Sequence, residues 1–261
     1  MTQTDTPQSS EAQVTAKRQR PVIAIDGPAG AGKSTLAAHL ARRFGFLNLE
    51  TGAMYRALAL KAIEKDFAFD EEVPLLELAA NTRITLEPQL EGNRVLLDGV
   101  DVSRRIREPD VTSAASQISI HHNLRAWMVQ QQRALGQQGG VVMEGRDIGT
   151  AVFPDAEVKI FLDAAPEVRG TRRFRQVTPM ESLTEKQNAS SQSHDAKTAE
   201  EQKAAQEAII HEMRERDYRD RHRAESPLRP APDAVILDST AMTLEEVLAH
   251  AEQIVRSHLP A

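Results

Sequence analysis

The chain has 261 residues, enough for one large α/β domain with small insertions. Hydrophobic residues make up 40% and charged residues 27%, so a substantial core can be buried. The formal net charge of −6 argues against a nucleic-acid or membrane-surface binder, and the lack of cysteine excludes disulfides and thiol nucleophiles. We therefore expect a cytoplasmic protein with no nucleic-acid or membrane partner.

The N-terminal segment differs in composition from the rest of the chain. Residues 1–20 are rich in Thr, Gln, Ser and Glu and contain no apolar segment of the secretory type. We expect residues 1–20 to form a disordered leader. No apolar run in the chain approaches the roughly 20 residues that a membrane-spanning helix needs.

Short apolar runs alternate with helical patterns from residue 21 onward. Val22–Ile25 predicts a strand buried on both faces, and a Gly-rich turn and a helix over about Lys33–Phe44 follow it. Phe46–Leu49 and Thr51–Lys65 predict the next strand and helix. This alternation is typical of parallel strands joined by helical crossovers.

The segment from about Asn81 to Ser103 has a different pattern. Three short extended pieces, Arg83–Leu86, Arg94–Leu97 and Val100–Val102, are separated by turn signals. We expect a small antiparallel sheet inserted into the α/β unit.

Helical and strand patterns alternate again in the second half. A helical pattern over about Asp110–Leu135 breaks near His121–Asn123, and we interpret the two histidines as a loop or helix cap because other metal ligands are lacking. Further strands are predicted at Val141–Met143, Val158–Leu162 and Ala234–Leu237.

Helix boundaries carry their own signals in this half. Pro166 suits the first turn of a helix, and Thr243–Glu246 matches a capping box. The polar segment Gln187–Gln206 predicts a flexible excursion or an exposed helix.

Gly27–Ser34 matches the pattern G-x-x-x-x-G-K-[ST], between a predicted strand and a predicted helix. Glycines let the backbone turn its N–H groups toward a phosphate, and the helix N-terminus adds free donors. Lys33 can neutralise the β- and γ-phosphates, and Ser34 can offer its hydroxyl to Mg²⁺. The residues predicted to bind ATP here are Gly27, Pro28, Ala29, Gly30, Ala31, Gly32, Lys33, Ser34 and Thr35.

The phosphate acceptor is indicated mainly by arginines. The D-x-x-G and N-K-x-D motifs of GTPases do not occur. Phosphoryl transfer to another phosphate brings two polyanions together, and arginines supply the fixed charge and alignment this needs. Arg56 and Arg146 follow predicted strands, while Arg216, Asp220 and Arg223 are spaced to share one helix face. Surface or capping roles and an exposed ion pair are the alternatives.

Seven blocks occur in order between about Pro21 and the C-terminus: Asp26–Ser34, Thr51–Arg56, Ala114–Gln117, Glu144–Thr150, Val152–Asp155, Lys159–Asp163 and Arg216–Arg223. Together they resemble bacterial cytidylate kinase, a family of P-loop nucleoside-monophosphate (NMP) kinases. The resemblance implies a three-layer α/β P-loop fold with a central parallel five-stranded sheet, a small antiparallel NMP-binding insertion and a helical lid. It implies a kinase core at 21–77 and 116–261, the insertion at 78–115 and the lid at about 170–212.

The resemblance also implies the reaction, namely transfer of the γ-phosphoryl group of Mg·ATP to CMP and dCMP. The residues implied for the CMP pocket are Thr51, Tyr55, Arg56, Ser116, Arg125, Arg146, Asp147, Arg216, Asp220 and Arg223. The cations implied to take part in the transfer are Lys33, Arg56, Arg146 and Arg223.

Within that pocket the resemblance implies separate tasks. Ser116, Arg125 and Asp147 would read the cytosine edge, and Asp147 could accept the 4-amino donor. Asp220, with Arg216 near it, would contact the ribose hydroxyls. The alternatives without a binding role are that Ser116 is a small residue at a helix contact and that Arg125 lies on a solvated helix face.

The remaining implied roles concern the triphosphate. Arg172 and Arg173 would be lid arginines that close over the ATP phosphates. The alternative is that both lie on a helix surface that faces solvent. Residue 144 is Glu where Asp is common in the family, and it is the candidate to accompany Ser34 near Mg²⁺. Residue 51 is Thr where Ser is common, which keeps the hydroxyl.

Two rival interpretations stay open at this point. The chain could phosphorylate a different small acceptor, such as AMP, UMP or shikimate, or it could be a regulatory nucleotide-binding protein without turnover. No switch motif or added partner domain favours the second. We expect a monomer that binds ATP and CMP or dCMP.

Overall fold

The computed structural model describes residues 18–89, 92–177 and 192–259. Its strands and helices follow one another as β1 Val22–Asp26, α1 Lys33–Phe44, β2 Leu47–Glu50, α2 Thr51–Glu64, α3 Glu72–Ala80, β3 Ile84–Gln89, β4 Gly92–Leu97, β5 Val100–Asp101, α4 Pro109–Ile118, α5 His122–Gly136, β6 Val141–Gly145, β7 Val158–Asp163, α6 Pro166–Val177, α7 Gln192–His222, β8 Val235–Asp238 and α8 Leu244–His258. A short 3₁₀ turn at Arg105–Arg107 and a π-helical turn at Ile148–Val152 lie between them.

Five parallel strands form the central sheet in the order β2-β6-β1-β7-β8. Alternate residues of β1 face opposite sides of this sheet. Val22 and Ala24 pack into one hydrophobic cluster with α2, α4 and α5, whereas Ile23 and Ile25 pack into another with α1 and α8. Because helices cover both faces, β1 has to be a continuous apolar run, and the three-layer α/β fold is confirmed.

The second sheet is antiparallel, with the order β3-β4-β5, as the sequence predicts. Asp98 and Gly99 form the turn between β4 and β5, and both have a positive φ. Leu86 and Val95 of this sheet belong to the same hydrophobic cluster as Val22 of the central sheet. The insertion is therefore packed against the α2 side of the main sheet.

Several predicted helix boundaries are confirmed. The Thr243 hydroxyl accepts the Glu246 N–H at 3.3 Å and the Glu246 carboxylate accepts the Thr243 N–H at 2.8 Å, which completes the capping box of α8. Helix α6 begins at Pro166. Helix α5 follows a break, and His121 lies at its N-cap position with its ring nitrogen 2.7 Å from the carbonyl oxygen of Phe69.

The polar segment Gln187–Gln206 is helical from Gln192 onward, where it forms the first part of α7. Residues 187–191 lie outside the described residues, and so does most of the predicted leader, residues 1–17. Two arginines at the end of that leader contact the rest of the chain. Arg18 forms an ion pair with Asp155, and Arg20 donates a hydrogen bond to the carbonyl oxygen of Gly45. Within the described ranges, none of the helices combines the length and apolar character that a membrane crossing requires.

Candidate active site

A cleft of about 640 Å³ opens where β1, β2 and β6 end. Most residues predicted from the sequence line it, namely Ala29, Gly30, Gly32, Lys33, Ser34, Thr35, Thr51, Tyr55, Arg56, Ser116, Arg125, Glu144, Arg146, Asp147, Arg173, Arg216, Asp220 and Arg223. Gly27, Pro28, Ala31 and Arg172 are predicted residues that do not line it. Residues far apart in sequence thus meet at one edge of the sheet, as expected for parallel strands.

The loop Gly27–Ser34 has the backbone that its glycines predict. Gly27, Gly30 and Gly32 all have a positive φ, and a Cβ on Gly27 would lie 2.0 Å from the carbonyl oxygen of Leu162. No larger residue fits at Gly27 without moving β7. Gly32 precedes α1, whose first residue is Lys33, so the free N–H groups of the helix face the cleft.

Lys33 is buried at the base of the cleft, and its ammonium donates to the carbonyl oxygen of Pro28 at 2.7 Å. Burial lowers the pKa of Lys33 to about 7, and the nearby cations Arg146 and Arg216 add to this effect against the opposing charges of Glu144 and Asp26. The negative charge of a bound polyphosphate would raise the pKa of Lys33 again. The lysine is therefore placed to become fully charged when phosphate arrives.

Arg146 and Arg223 converge on the same carboxylate. Arg146 Nε donates to Asp220 Oδ2 at 2.9 Å, and Arg223 Nη1 lies 3.8 Å from Asp220 Oδ1. Burial alone would raise the pKa of Asp220, but Arg146, Arg216 and Arg223 hold it below its usual range. Arg223 Nη2 is buried without a hydrogen-bond partner and lies 4.0 Å from Asp147 Oδ1.

Asp147 and Arg125 form a buried ion pair below the other end of the cleft. Arg125 Nη2 donates to Asp147 Oδ2 at 2.5 Å, and its Nη1 donates to the carbonyl oxygen of Ser119 at 3.0 Å. The guanidinium lies 5.6 Å from the ring centroid of Tyr55. Burial raises the pKa of Tyr55 to about 12, so its hydroxyl stays a donor at neutral pH.

Arg56 is paired with a residue that the sequence analysis missed. Its Nη2 bonds Glu50 Oε1, and Glu50 Oε2 lies 3.6 Å from Arg107 Nη2. Burial alone would raise the pKa of Glu50, but Arg56 and Arg107 hold it below its usual range. Glu50 directly follows the predicted strand Phe46–Leu49, and that position is the signal that could have identified it.

Arg216 is the cation with the fewest partners in the described cleft. Its Nε is buried without a hydrogen bond. Burial lowers its pKa to about 10, and Arg146 contributes to the same effect. Ser116 receives a hydrogen bond of 3.3 Å from Arg219 Nε, a residue of α7 that the sequence analysis did not single out.

A family comparison accounts for this arrangement of residues. The cytidylate kinase family model matches residues 23–192 and 185–257. A cytidylate kinase from Aeromonas hydrophila is 44% identical over 89% of this chain and 94% of its own length. One from Pelotomaculum thermopropionicum is 46% identical over 87% and 92%, and one from Solibacter usitatus is 44% identical over 93% and 95%. The chain belongs to the cytidylate kinase family. It is a phosphotransferase of a family that uses ATP, generally with a divalent metal.

Glu144 and Ser34 line the cleft and could hold that metal. Glu144 is buried, its Oε1 has no hydrogen-bond partner, and Ser34 lines the same cleft. Burial and the neighbouring Glu50 raise the pKa of Glu144. A hydroxyl and a carboxylate are ligands that Mg²⁺ accepts beside phosphate oxygens, so the residues fit the ion. The described residues contain no group of three or more His, Cys, Asp or Glu side chains that could hold a metal without a nucleotide.

Side chains of α6 and α7 bond the loop Gly27–Ser34 and the end of β8. Arg169 Nη1 donates to the carbonyl oxygen of Ala29 at 2.9 Å and lies 2.6 Å from Asp217 Oδ2, while Asp217 Oδ1 accepts the Ala29 N–H at 3.4 Å. Arg172 donates to the Ser239 hydroxyl and carbonyl at 3.0 and 2.9 Å. In this conformation Arg172 bonds the end of β8, and Arg173 lines the cleft.

Proposed function

We propose that this chain transfers the γ-phosphoryl group of ATP to CMP and dCMP, giving CDP and dCDP. The observation that carries the proposal is the convergence of the Gly30–Ser34 part of the phosphate loop with Arg56, Arg146 and Arg223 in one cleft. Each nucleotide brings a polyanion to that cleft. Only fixed cations between them make a close approach possible.

The chemistry needs alignment more than acid–base catalysis, because the acceptor phosphate is already a nucleophile. We propose that Lys33 and the loop N–H groups hold the donor phosphates while Arg56, Arg146 and Arg223 hold the acceptor phosphate in line. Asp220 supports this task, since its hydrogen bond with Arg146 and its ion pair with Arg223 orient both guanidiniums before substrate binds.

The base would be read by Ser116, Arg125 and Asp147. The Asp147 carboxylate is buried and could accept the 4-amino group that distinguishes cytosine from uracil. Its ion pair with Arg125 fixes the direction of the carboxylate. Asp220 and Arg216 would contact the ribose, with Thr51 and Tyr55 on the pocket wall.

We propose that Ser34 and Glu144 hold Mg²⁺ together with the nucleotide. When bound, the ion would supply positive charge that offsets the charge of the phosphates. The unpartnered Glu144 Oε1 supports this assignment. Arg173, at the rim of the cleft, and Arg172 would contact the ATP phosphates when the lid closes.

The domain division also remains a proposal. We propose a kinase core at 21–77 and 116–261, an NMP-binding insertion at 78–115, a lid at about 170–212 and a leader at 1–20. The enzyme would act as a monomer in the cytoplasm, without a nucleic-acid partner.

The proposed function is tested by a panel of acceptors, CMP, dCMP, UMP, AMP and shikimate, assayed for acceptor-dependent ADP release with Mg·ATP. We expect kcat/KM to be highest for CMP and dCMP. If AMP or UMP reacted many-fold faster than CMP, the assignment of the base pocket would be wrong. Tight ATP binding with no acceptor-dependent turnover would instead support a regulatory nucleotide-binding protein.

A further inference from the structure

Asp26 is a buried carboxylate that none of the steps above uses. It is the last residue of β1, immediately before Gly27, and it pairs in register with Gly145 of β6 and Phe161 of β7. It is only 5% exposed. Its position places it between the loop that holds the donor and the loop that carries Arg146 and Asp147.

Both carboxylate oxygens of Asp26 are occupied by that second loop. Oδ1 accepts the Ile148 N–H and Oδ2 accepts the Gly149 N–H, each at 2.8 Å. The Ile148 N–H belongs to the peptide unit that begins at the carbonyl of Asp147. Fixing this peptide fixes ψ of Asp147, and so restricts where the Asp147 side chain points.

The Gly149 backbone packs closely against the side chains of Asp26 and Lys159. A Cβ on Gly149 would lie 3.2 Å from Lys159 Cδ and 3.4 Å from Asp26 Oδ2. A side chain at position 149 would therefore press on both the Asp26 carboxylate and the stem of the buried Lys159.

We propose that Asp26 is a positioning residue for the acceptor nucleotide: from the donor side of the cleft, its carboxylate sets the direction of Asp147 and Arg146. This rests on the proposed function, since it assumes that those two residues bind the acceptor. It means that a residue adjoining the phosphate loop controls selection of the acceptor base more than it controls ATP binding. An amide in its place would direct an NH₂ group at one of the two N–H donors and release that peptide.

The test compares steady-state kinetics of Asp26→Asn and Gly149→Ala with the wild type, using CMP, UMP and ATP. For Asp26→Asn we expect KM for CMP to rise about tenfold or more and the CMP/UMP ratio of kcat/KM to fall about tenfold, while KM for ATP changes less than about threefold. Gly149→Ala places a methyl group 3.4 Å from Asp26 Oδ2 and so disturbs the same contact, and it should shift the same two quantities even if Asp26→Asn folds poorly.

The matched control is Glu157→Gln, at the opposite end of β1. Glu157 Oε2 accepts the Val22 N–H at 2.8 Å, which is the same type of bond outside the cleft. We expect its KM values and base preference to match the wild type.

Two results would overturn the inference. A purely structural role would lower kcat through a smaller active fraction and leave KM for CMP and the CMP/UMP ratio unchanged. An equal rise of both KM values would assign Asp26 to the donor loop. Failure of the proposed function is distinguishable, because the wild-type enzyme itself would then show no preference for CMP.

Discussion

Lys33 is buried near both cationic and anionic side chains, and these surroundings set its pKa in the free enzyme. Its pKa of about 7 lies below the ordinary value of 10.5 because of burial, Arg146 and Arg216. The folded form therefore holds fewer protons than the unfolded chain between these two pH values, so this group makes the fold more stable as pH rises from about 7 to 10.5.

The same shift predicts proton uptake on ATP binding. At pH 8 Lys33 is mostly neutral in the free enzyme, and the phosphates restore its charge. We expect the calorimetric enthalpy of ATP binding at pH 8 to depend on the buffer. Because the buffer supplies the proton that Lys33 takes up, the observed enthalpy should rise with the ionisation enthalpy of the buffer. The control Lys33→Arg keeps a permanent charge and should remove the dependence. Equal enthalpies in two buffers with the wild-type enzyme would contradict the lowered pKa.

Arg146 should matter for the acceptor far more than for the donor, since it adjoins Asp220 and Asp147 at the end of β6. We expect Arg146→Ala to lower kcat/KM for CMP about 100-fold or more, with ATP affinity changed less than about threefold. Arg94→Ala, on the exposed face of β4, is the control and should change neither. Equal losses of CMP use and ATP affinity would argue against the assignment.

Asp147 tests base recognition at a single atom. Asp147→Asn presents an amide where cytosine offers its 4-amino donor, and an amide can also donate to the 4-carbonyl of uracil. We expect the CMP/UMP ratio of kcat/KM to fall about tenfold or more. The check is to measure kcat/KM for CMP and for UMP with the wild type and with Asp147→Asn. An unchanged CMP/UMP ratio would assign base reading to other residues.

At the scale of elements, α6 and α7 are joined by two ion pairs with very different environments. Arg169 and Asp217 are 3% and 10% exposed, whereas Arg214 and Glu167 are 57% and 63% exposed. Desolvation makes a broken buried pair costly, because the remaining charge keeps no counter-ion. Water screens the exposed pair.

This contrast predicts unequal effects of two truncations at one helix interface. We expect Asp217→Ala to lower the free energy of unfolding by about 3 kcal/mol or more, with a fall in Tm of about 6 °C or more. The control Arg214→Ala should cost less than about 1 kcal/mol. Similar Tm values for the two variants would show that Arg169 and Asp217 do not anchor α7 to the phosphate loop.

Elements with strong local patterns were predictable, and those defined by tertiary contacts were not. The buried strands β1, β6 and β7 are apolar runs, and α1 follows directly from its glycine loop. Helix α3 was not predicted. The polar segment Gln187–Gln206 left a choice between a flexible excursion and an exposed helix. Buried side chains that anchor α7, such as Met213 and Asp217, lie beyond that segment and pack against distant elements.

At the scale of the whole molecule, the two hydrophobic clusters fix the sheet, and the sheet fixes the cleft. Since the strands are parallel, the loops after β1, β2 and β6 open on the same edge. This geometry explains why a motif at residue 27 and arginines at 56, 146 and 223 could be assigned to one site from sequence patterns and family resemblance.

Two of the supporting contacts could not be assigned in this way. The ion pair of Arg169 with Asp217 and the hydrogen bond from the Ile148 N–H to Asp26 join residues whose proximity depends on the register of distant elements. A carboxylate next to a strand end is a general signal, but its partner is visible only in the folded chain.

The central claim is that fixed cations hold two nucleotides end to end in one cleft. The most direct measurement is a crystal structure with a bisubstrate ligand that links adenosine to cytidine through a polyphosphate chain. We predict that the adenosine-side phosphates lie on the Gly30–Ser34 amides and Lys33, and that the cytidine-side phosphate contacts Arg56, Arg146 and Arg223. Cytidine bound elsewhere, with these three arginines still paired only to protein carboxylates, would contradict it.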